Sequence, residues 1–240
     1  MSVRRSRRTP SSIQGNAMTP EPKKLQIDIV SDVMCPWCVI GYKQLARALE
    51  ATATPHEIRW HPFELNPETP AEGQNMREHL AEKYGSTTEQ SNANRNAITK
   101  AGAELGFEFQ FTDDMRIHNT FNVHQLMHWA DQQGRKHDLE MAFFTAHFTD
   151  GRNLSDDAVL ADVAAVIGLD RDEALAVLAD QRFAADVREA ERFWTSQGIR
   201  GVPAVIFNQR HLVSGAQGVD TFVDILRQLA AMPDEGVPSS

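Results

Sequence analysis

The 240-residue chain is short of cysteine, of basic charge and of long apolar runs, and each shortage excludes something. Its two cysteines, Cys35 and Cys38, cannot make a framework of structural disulfides, which suits a reducing compartment. Lys and Arg total 24 against 33 Asp and Glu; the net charge of −9 argues against a nucleic-acid partner, which wants a basic face. No apolar stretch approaches the ~18 residues of a membrane span. Residues 1–21 carry Arg4, Arg5, Arg7 and Arg8, then small and polar residues, with no apolar segment between. A secretory signal needs such a segment. The stretch therefore reads as a disordered tail, Arg4-Arg5 does not read as an export signal, and the expected location is cytoplasmic. Residues 233–240 read as a second tail. There are no internal repeats. The length suits one large domain or two small ones.

The chemistry gathers at Cys35-Pro36-Trp37-Cys38, which follows an alternating apolar run over Leu25–Ser31 that reads as a strand. Two thiols at this spacing serve a reversible dithiol/disulfide couple or half of a zinc site. Zinc needs about four N/S/O ligands, and the nine histidines are scattered, with no paired hook near the cysteines. No metal is expected, and the chemistry points to redox. With Cys35 as N-cap, Pro36 falls at the first helical position, where its missing N–H costs nothing. The free amides and the positive end of the helix then face the Cys35 sulfur, which favours its thiolate. Cys35 is expected to be an exposed nucleophile. Cys38, one turn on and turned inward, is expected to be the resolving thiol.

Along the chain, a helix is expected from Pro36 to about Ala53, and a strand over 57–63. A β-α-β unit of this length joins two parallel strands by a right-handed crossover. The proline-rich stretch 64–70 marks a boundary. From 71 to about 186 the pattern is helical, with segments near 75–84, 87–105, 119–133, 136–149, 156–167, 171–180 and 182–197. Gly85, Gly106, Gly134, Gly168 and Gly198 stand where left-handed C-caps are expected. Ser86–Glu89 and Asp170–Glu173 resemble capping boxes. Phe107–Phe111 alternates and reads as a short extended link. Residues 201–208 return to strand composition, 208–211 read as a tight turn, 212–215 begin a partner strand, and a helix closes the chain over about 218–231. The expected fold class is α/β: a discontinuous domain over 22–68 and 187–232, interrupted by an all-α insertion over 69–186.

These residues resemble the thioredoxin-fold oxidoreductases of the DsbA superfamily, in particular their FrnE-like cytoplasmic branch. The resemblance is carried by Ser31–Gly41, Pro62–Pro67, Asn119–His124, Gly201–Pro203 and Val213–Gln217, in register over about 25–230. It implies a thioredoxin-like fold with a helical insertion, and thiol–disulfide oxidoreductase or isomerase activity through the CPWC dithiol and a mixed disulfide. It implies a cis peptide at Val202–Pro203 opposite Cys35, which exposes the Val202 N–H and C=O to an extended substrate chain. It also implies a disulfide- or dithiol-containing polypeptide or small thiol as partner, with glutathione as a co-substrate and no tightly bound cofactor. An isologous dimer is compatible with the sequence, which carries no signature for one.

Around the dithiol, Pro36, Trp37, Val202 and Pro203 form the expected substrate contacts, Trp37 as an exposed apolar platform or as a cover for the helix end. Asn66 is either a ligand-contacting residue or a turn former before Pro67. His124 is a site candidate as proton shuttle, Asn119 an N-cap. His61 is left unassigned. Ser214 and Gln217 are expected to touch substrate backbone or glutathione, by analogy with relatives. Asp32 has two readings, proton transfer to Cys38 or a strand-end turn. The alternative function is a glutathione-dependent isomerase or transferase, like the 2-hydroxychromene-2-carboxylate isomerases and kappa-class enzymes. Those carry a serine at the Cys35 position and an Asp-Arg pair where this chain has Ala216-Gln217.

Overall fold

The structure is a computed structural model that describes residues 24–70 and 72–232; both expected tails lie outside this range. Strand β1 (Leu25–Ser31) occupies the middle of a four-stranded sheet ordered β2-β1-β5-β6. β2 (His56–Pro62) runs parallel to it, from Leu25↔His56 to Ser31↔Pro62. β5 (Ala204–Phe207) runs antiparallel, from Ile27↔Phe207 to Val30↔Ala204, and β6 (His211–Ser214) closes the hairpin. The turn between them places Asn208 (φ 49°) and Gln209 (φ 58°) in the left-handed region, and Arg210 N–H donates to Phe207 C=O at 3.0 Å. Two left-handed central residues match the twist of the flanking strands.

β1 is buried from Ile27 to Ser31 because both faces of the sheet are covered. Ile27 and Ile29 enter the main core, while Val30 joins a smaller cluster with Ile199, Ala204 and Ile206. A carboxylate in such a strand needs partners. Asp28 has them: Gln26 Nε2 and His61 Nε2, each at 2.8 Å. His61 is thereby a structural partner of the sheet. Helix α1 (Pro36–Thr52) carries the crossover to β2 and ends at Ala53, whose φ of 48° reverses the chain. It packs against the closing helix α9 (Val219–Ala231) through Leu45, Ala48 and Leu49 on one side and Phe222 and Leu226 on the other. The β-α-β and β-β-α halves are those the resemblance implied.

Between β2 and β5 come seven helices: α2 (Met76–Tyr84), α3 (Thr88–Glu104), α4 (Phe121–Asp131), α5 (Lys136–Phe148), α6 (Asp157–Val166), α7 (Arg171–Asp180) and α8 (Ala184–Ser196). All five glycines expected as punctuation have positive φ. The first capping box is displaced by one residue, from Ser86/Glu89 to Thr87/Gln90. The reason is local: the Ser86 amide still donates to Leu80 C=O, closing the end of α2, so Thr87 becomes the first residue free to cap. The second box is half formed. Asp170 accepts from the Glu173 amide at 2.9 Å, but the Glu173 carboxylate pairs with Arg182.

A two-residue ribbon of β3 (Gln74–Asn75) and β4 (Arg116–Ile117) was not expected; two residues carry no readable period. Helix α8 runs without a break across the expected 186/187 junction and packs on both α4 and β2. One apolar cluster includes Ile27, Ile29 and Phe207 of the sheet together with Phe143, Phe144 and Phe148 of α5.

The link 107–111 belongs to no helix or strand and is pinned by Gln110 N–H to Phe148 C=O at 2.8 Å. Phe109 stacks on Phe111 and meets Phe148 edge-on. This crowding fixes Gly102 of α3, where an added Cβ would lie 2.4 Å from Phe109 Cδ2 and 2.8 Å from Phe107 C=O. Alanine ordinarily improves a helix interior by up to ~1 kcal/mol. At Gly102 the overlap should outweigh that, and Gly102→Ala is expected to lower stability by about 1–3 kcal/mol in urea unfolding.

Candidate active site

The site begins where β1 delivers the chain to the start of α1. Cys35 is the N-cap in extended conformation (φ −98°, ψ 111°), and Pro36 is the first helical residue. Two backbone bonds hold this corner: Cys35 N–H to Asp32 C=O at 2.9 Å, and Cys38 N–H to Cys35 C=O at 3.0 Å. Both thiols are free. Cys35 Sγ lies 3.6 Å from the backbone oxygen of Val202, 167 residues away, and the Val202–Pro203 peptide is cis. Pro203 is itself fixed, its C=O accepting from Gly215 N–H at 2.8 Å. Gly41 explains its own presence in the motif, since a Cβ there would come within 3.2 Å of Pro203 Cγ.

The expectation of an exposed Cys35 is corrected. Cys35 is 5% exposed, close to the complete burial of Cys38, because the backbone of Val202 and the Pro203 segment close over it. Trp37, at 37%, is the exposed member of the motif. The thiols still differ. Burial first, then the contact with Cys35, raises the Cys38 thiol well above its ordinary range, so Cys38 keeps its proton at neutral pH.

The structure shows the turn role of Asp32. Its carboxylate accepts from Met34 N–H at 3.1 Å and from Leu65 N–H at 2.6 Å, which tie the corner before Cys35 to the loop after β2. It is a turn residue with both oxygens engaged, and burial pushes its pKa up to about 6. Asn66 is likewise committed to its turn: its side-chain oxygen accepts from Lys83 Nζ at 2.6 Å, and its C=O from the Thr69 amide. His124 is buried in α4, its Nε2 donating to Phe63 C=O at 3.2 Å. Burial lowers its pKa to about 4, so it is neutral and positional at physiological pH. Asn119 does not stand at the N-cap, which is Thr120. Its oxygen accepts from Phe121 N–H, while its nitrogen donates to Glu64 and to Pro67 C=O. Glu64 also pairs with Arg188 of α8. Ser214, the last residue of β6, and Gln217 after it are exposed, with the Gln217 amide donating to Ser214 C=O.

Two further residues, neither singled out from the sequence, join the site. Ser31, the last residue of β1, works with the Asp32 backbone to pull the Cys38 thiol down against the burial that raises it. Its hydroxyl donates to Glu140 Oε1 of α5 at 2.6 Å, a buried contact across 109 residues. Glu140 is 2% exposed, yet it reaches a cleft of about 520 Å³ lined by residues of β2, α4, α5 and α8. Burial, with the nearby Asp32 charge, pushes Glu140 up to about 7, against the pull of the Ser31 bond and Lys136. Among the described residues no His/Cys/Asp/Glu group is arranged to hold a metal ion, and no helix is long and apolar enough to cross a membrane.

The Glu140 shift has a stability consequence. Between about 4.5 and about 7 the folded chain binds a proton there that the unfolded chain does not. The stabilisation is complete below the unfolded value and is lost as pH rises to about 7. Glu140→Gln removes this dependence. In urea unfolding the variant should gain on the parent between pH 5 and pH 8, by a few kcal/mol at most; a gap that does not change with pH would show that Glu140 does not titrate in that window.

Residues 26–227 match the DSBA-like thioredoxin domain. A probable DsbA oxidoreductase from Streptomyces coelicolor is 33% identical, with a TM-score of 0.82 over 90% of this chain and 93% of its own. The fold is shared with a 2-hydroxychromene-2-carboxylate isomerase (14% identity, TM-score 0.62, 85% of this chain and 96% of that one). It is shared also with the cytosolic disulfide reductase DsbM from Pseudomonas aeruginosa with GSH (16%, TM-score 0.60, 86% and 100%). Sheet order, insertion and a match running through nearly the whole described chain agree, and the protein belongs to the DSBA-like thioredoxin domain family.

Proposed function

We propose that the protein is a cytoplasmic thiol–disulfide oxidoreductase that works through the Cys35/Cys38 couple. The observation that carries this reading is the placement of two unequal free thiols on one helix tip, Cys35 at its N-cap beside the Val202 backbone and Cys38 one turn deeper. Cys35, as thiolate, attacks a substrate disulfide; one substrate sulfur leaves and the other stays bonded to Cys35. Cys38 then attacks the Cys35 sulfur, closes the internal disulfide and releases the second substrate thiol. Run backward, the same steps oxidise a dithiol. The direction follows from the reduction potential, where ~30 mV corresponds to ~1.4 kcal/mol.

Disulfide- or dithiol-containing polypeptides and small thiols fit the exposed Trp37 and the half-buried Val202 beside Cys35. An extended chain there can pair with the Val202 backbone. Ser214 at the end of β6 and Gln217 on the loop after it, both exposed, are the proposed polar contacts. Asn66 and His124 shape the neighbouring loop and the start of α4 through Lys83 and Phe63. Glutathione as co-substrate is supported by the fold-level likeness to a reductase described with GSH. A second reading, glutathione-dependent isomerisation or transfer, has the fold of the carboxylate isomerase in its favour and a cysteine rather than a serine at position 35 against it.

Insulin reduction with glutathione or dithiothreitol as donor tests the proposal. Cys35→Ser is expected to fall to the uncatalysed rate, and Cys38→Ala to accumulate a mixed disulfide visible by mass spectrometry. Retained or increased glutathione-dependent turnover of a small aromatic substrate by Cys35→Ser would hand the assignment to the second reading.

A further inference from the structure

Among the described residues, four buried polar atoms without a hydrogen-bond partner belong to α2 and α3: Nε of Arg77, Nε and Nη2 of Arg95, and Oγ of Ser91. The Arg95 side chain is only 9% exposed. Ser91 stands one turn earlier on the same buried face of α3. A guanidinium taken out of water needs its five N–H donors engaged and its charge balanced. Arg95 has neither. Its Nη1 donates to Thr112 C=O at 3.2 Å, and its contact with Asp113 Oδ1 is a long 3.5 Å.

The counter-charge is shared. Asp113 Oδ1 also accepts from Arg77 Nη2 at 2.6 Å, so two cations meet on one carboxylate oxygen. Burial disfavours the charge on Arg95; of its charged neighbours, Arg77 opposes it too and Asp113 supports it. The spot therefore holds an excess of positive charge, in a chain whose net charge is −9. Asp113 itself is 85% exposed and stands in a turn outside any helix or strand, where its C=O accepts from Asn75 Nδ2 at 2.9 Å. Arg95 is fixed further by the Phe111 ring, 5.7 Å from Cζ to the centroid. The arginines are the held partners and the Asp113 side chain is the movable one.

We propose that Arg77, Arg95 and Ser91 form a binding site for a phosphoryl oxyanion, free phosphate or a phosphate ester, in which the Asp113 carboxylate is an intramolecular stand-in. A carboxylate presents two oxygens, and here Oδ1 alone serves both guanidiniums. A phosphoryl group presents more oxygens and more charge. It can engage both guanidiniums through paired N–H···O contacts, the geometry for which arginine is suited. The Ser91 hydroxyl adds a donor from α3. Occupation requires the Asp113 side chain to turn outward, which its exposure permits, while the bond from Asn75 to the Asp113 backbone stays in place. None of Arg77, Ser91 and Arg95 belongs to the dithiol corner or lines the 520 Å³ cleft, so the site stands apart from the oxidoreductase reading.

Thermal unfolding of the full chain tests the site, in inorganic phosphate and separately in glycerol phosphate, each against chloride at equal ionic strength. Both should raise the midpoint in a saturable way above chloride, and the tighter of the two identifies the source as free ion or ester. Asp113→Asn removes the competing charge from an exposed side chain and should bind phosphate on the order of ten-fold more tightly. Arg95→Met should lose the shift. Acetate should bind on the order of ten-fold more weakly than phosphate. The site is overturned if the parent responds to phosphate no more than to chloride, if Arg95→Met responds as the parent does, or if acetate matches phosphate. Should Arg95→Met not fold, Asp113→Asn decides, since an affinity no greater than the parent's also overturns the site. Insulin reduction is read separately, so a failure here leaves the dithiol chemistry as it stands.

Discussion

The pairing of β1 with β5 is the constraint on which the site depends. Residues 27–30 and 204–207 are brought edge to edge although the whole helical segment separates them in sequence. β1 ends at the tip of α1, and β5 begins one residue beyond the Val202–Pro203 peptide. One strand pairing therefore sets the distance from the Cys35 sulfur to the Val202 oxygen. A one-residue slip would turn every side chain of β5 to the opposite face of the sheet. Buried Val205 and Phe207, which join the main core, oppose such a slip on one side, as do Ala204 and Ile206 on the other.

The helical segment supplies a buried acid at the end of β1. Glu140 reaches Ser31 from α5, so the carboxylate bonded to the last residue of β1 comes from outside the sheet and its two packed helices. Asp32, Glu140 and Cys38 are three ionisable groups in one unexposed pocket, and burial favours the neutral form of each. Hydrogen bonds from Leu65, Met34 and Ser31 are what make two carboxyl groups tolerable there.

Much of the fold was legible because its signals are local. Glycines with positive φ end helices by a mechanism that needs a few neighbours only, and all five expected ones behave so. The N-cap and first-turn geometry of Cys35-Pro36 was readable for the same reason. The burial of Cys35 was not, since it is imposed by Val202 and Pro203 from the far end of the chain. Glu140 carries no motif at all; it is one of two acids of α5, with Asp138, until α5 is set against β1. Asn66 and His124 stand in segments that bear the family likeness, and what the sequence did not show is their bonding to Lys83 and to Phe63 C=O. The capping box shifted by one residue because the previous helix had not finished with Ser86.

The apolar cluster common to the sheet and to α5 has a consequence for how the molecule comes apart. Phe143, Phe144 and Phe148 share their cluster with Ile27, Ile29 and Phe207, and α8 crosses the junction as an unbroken rod. Sheet and helices therefore share one apolar interior, and a truncation that deletes the intervening helices would strip the strands of part of the surface they pack against.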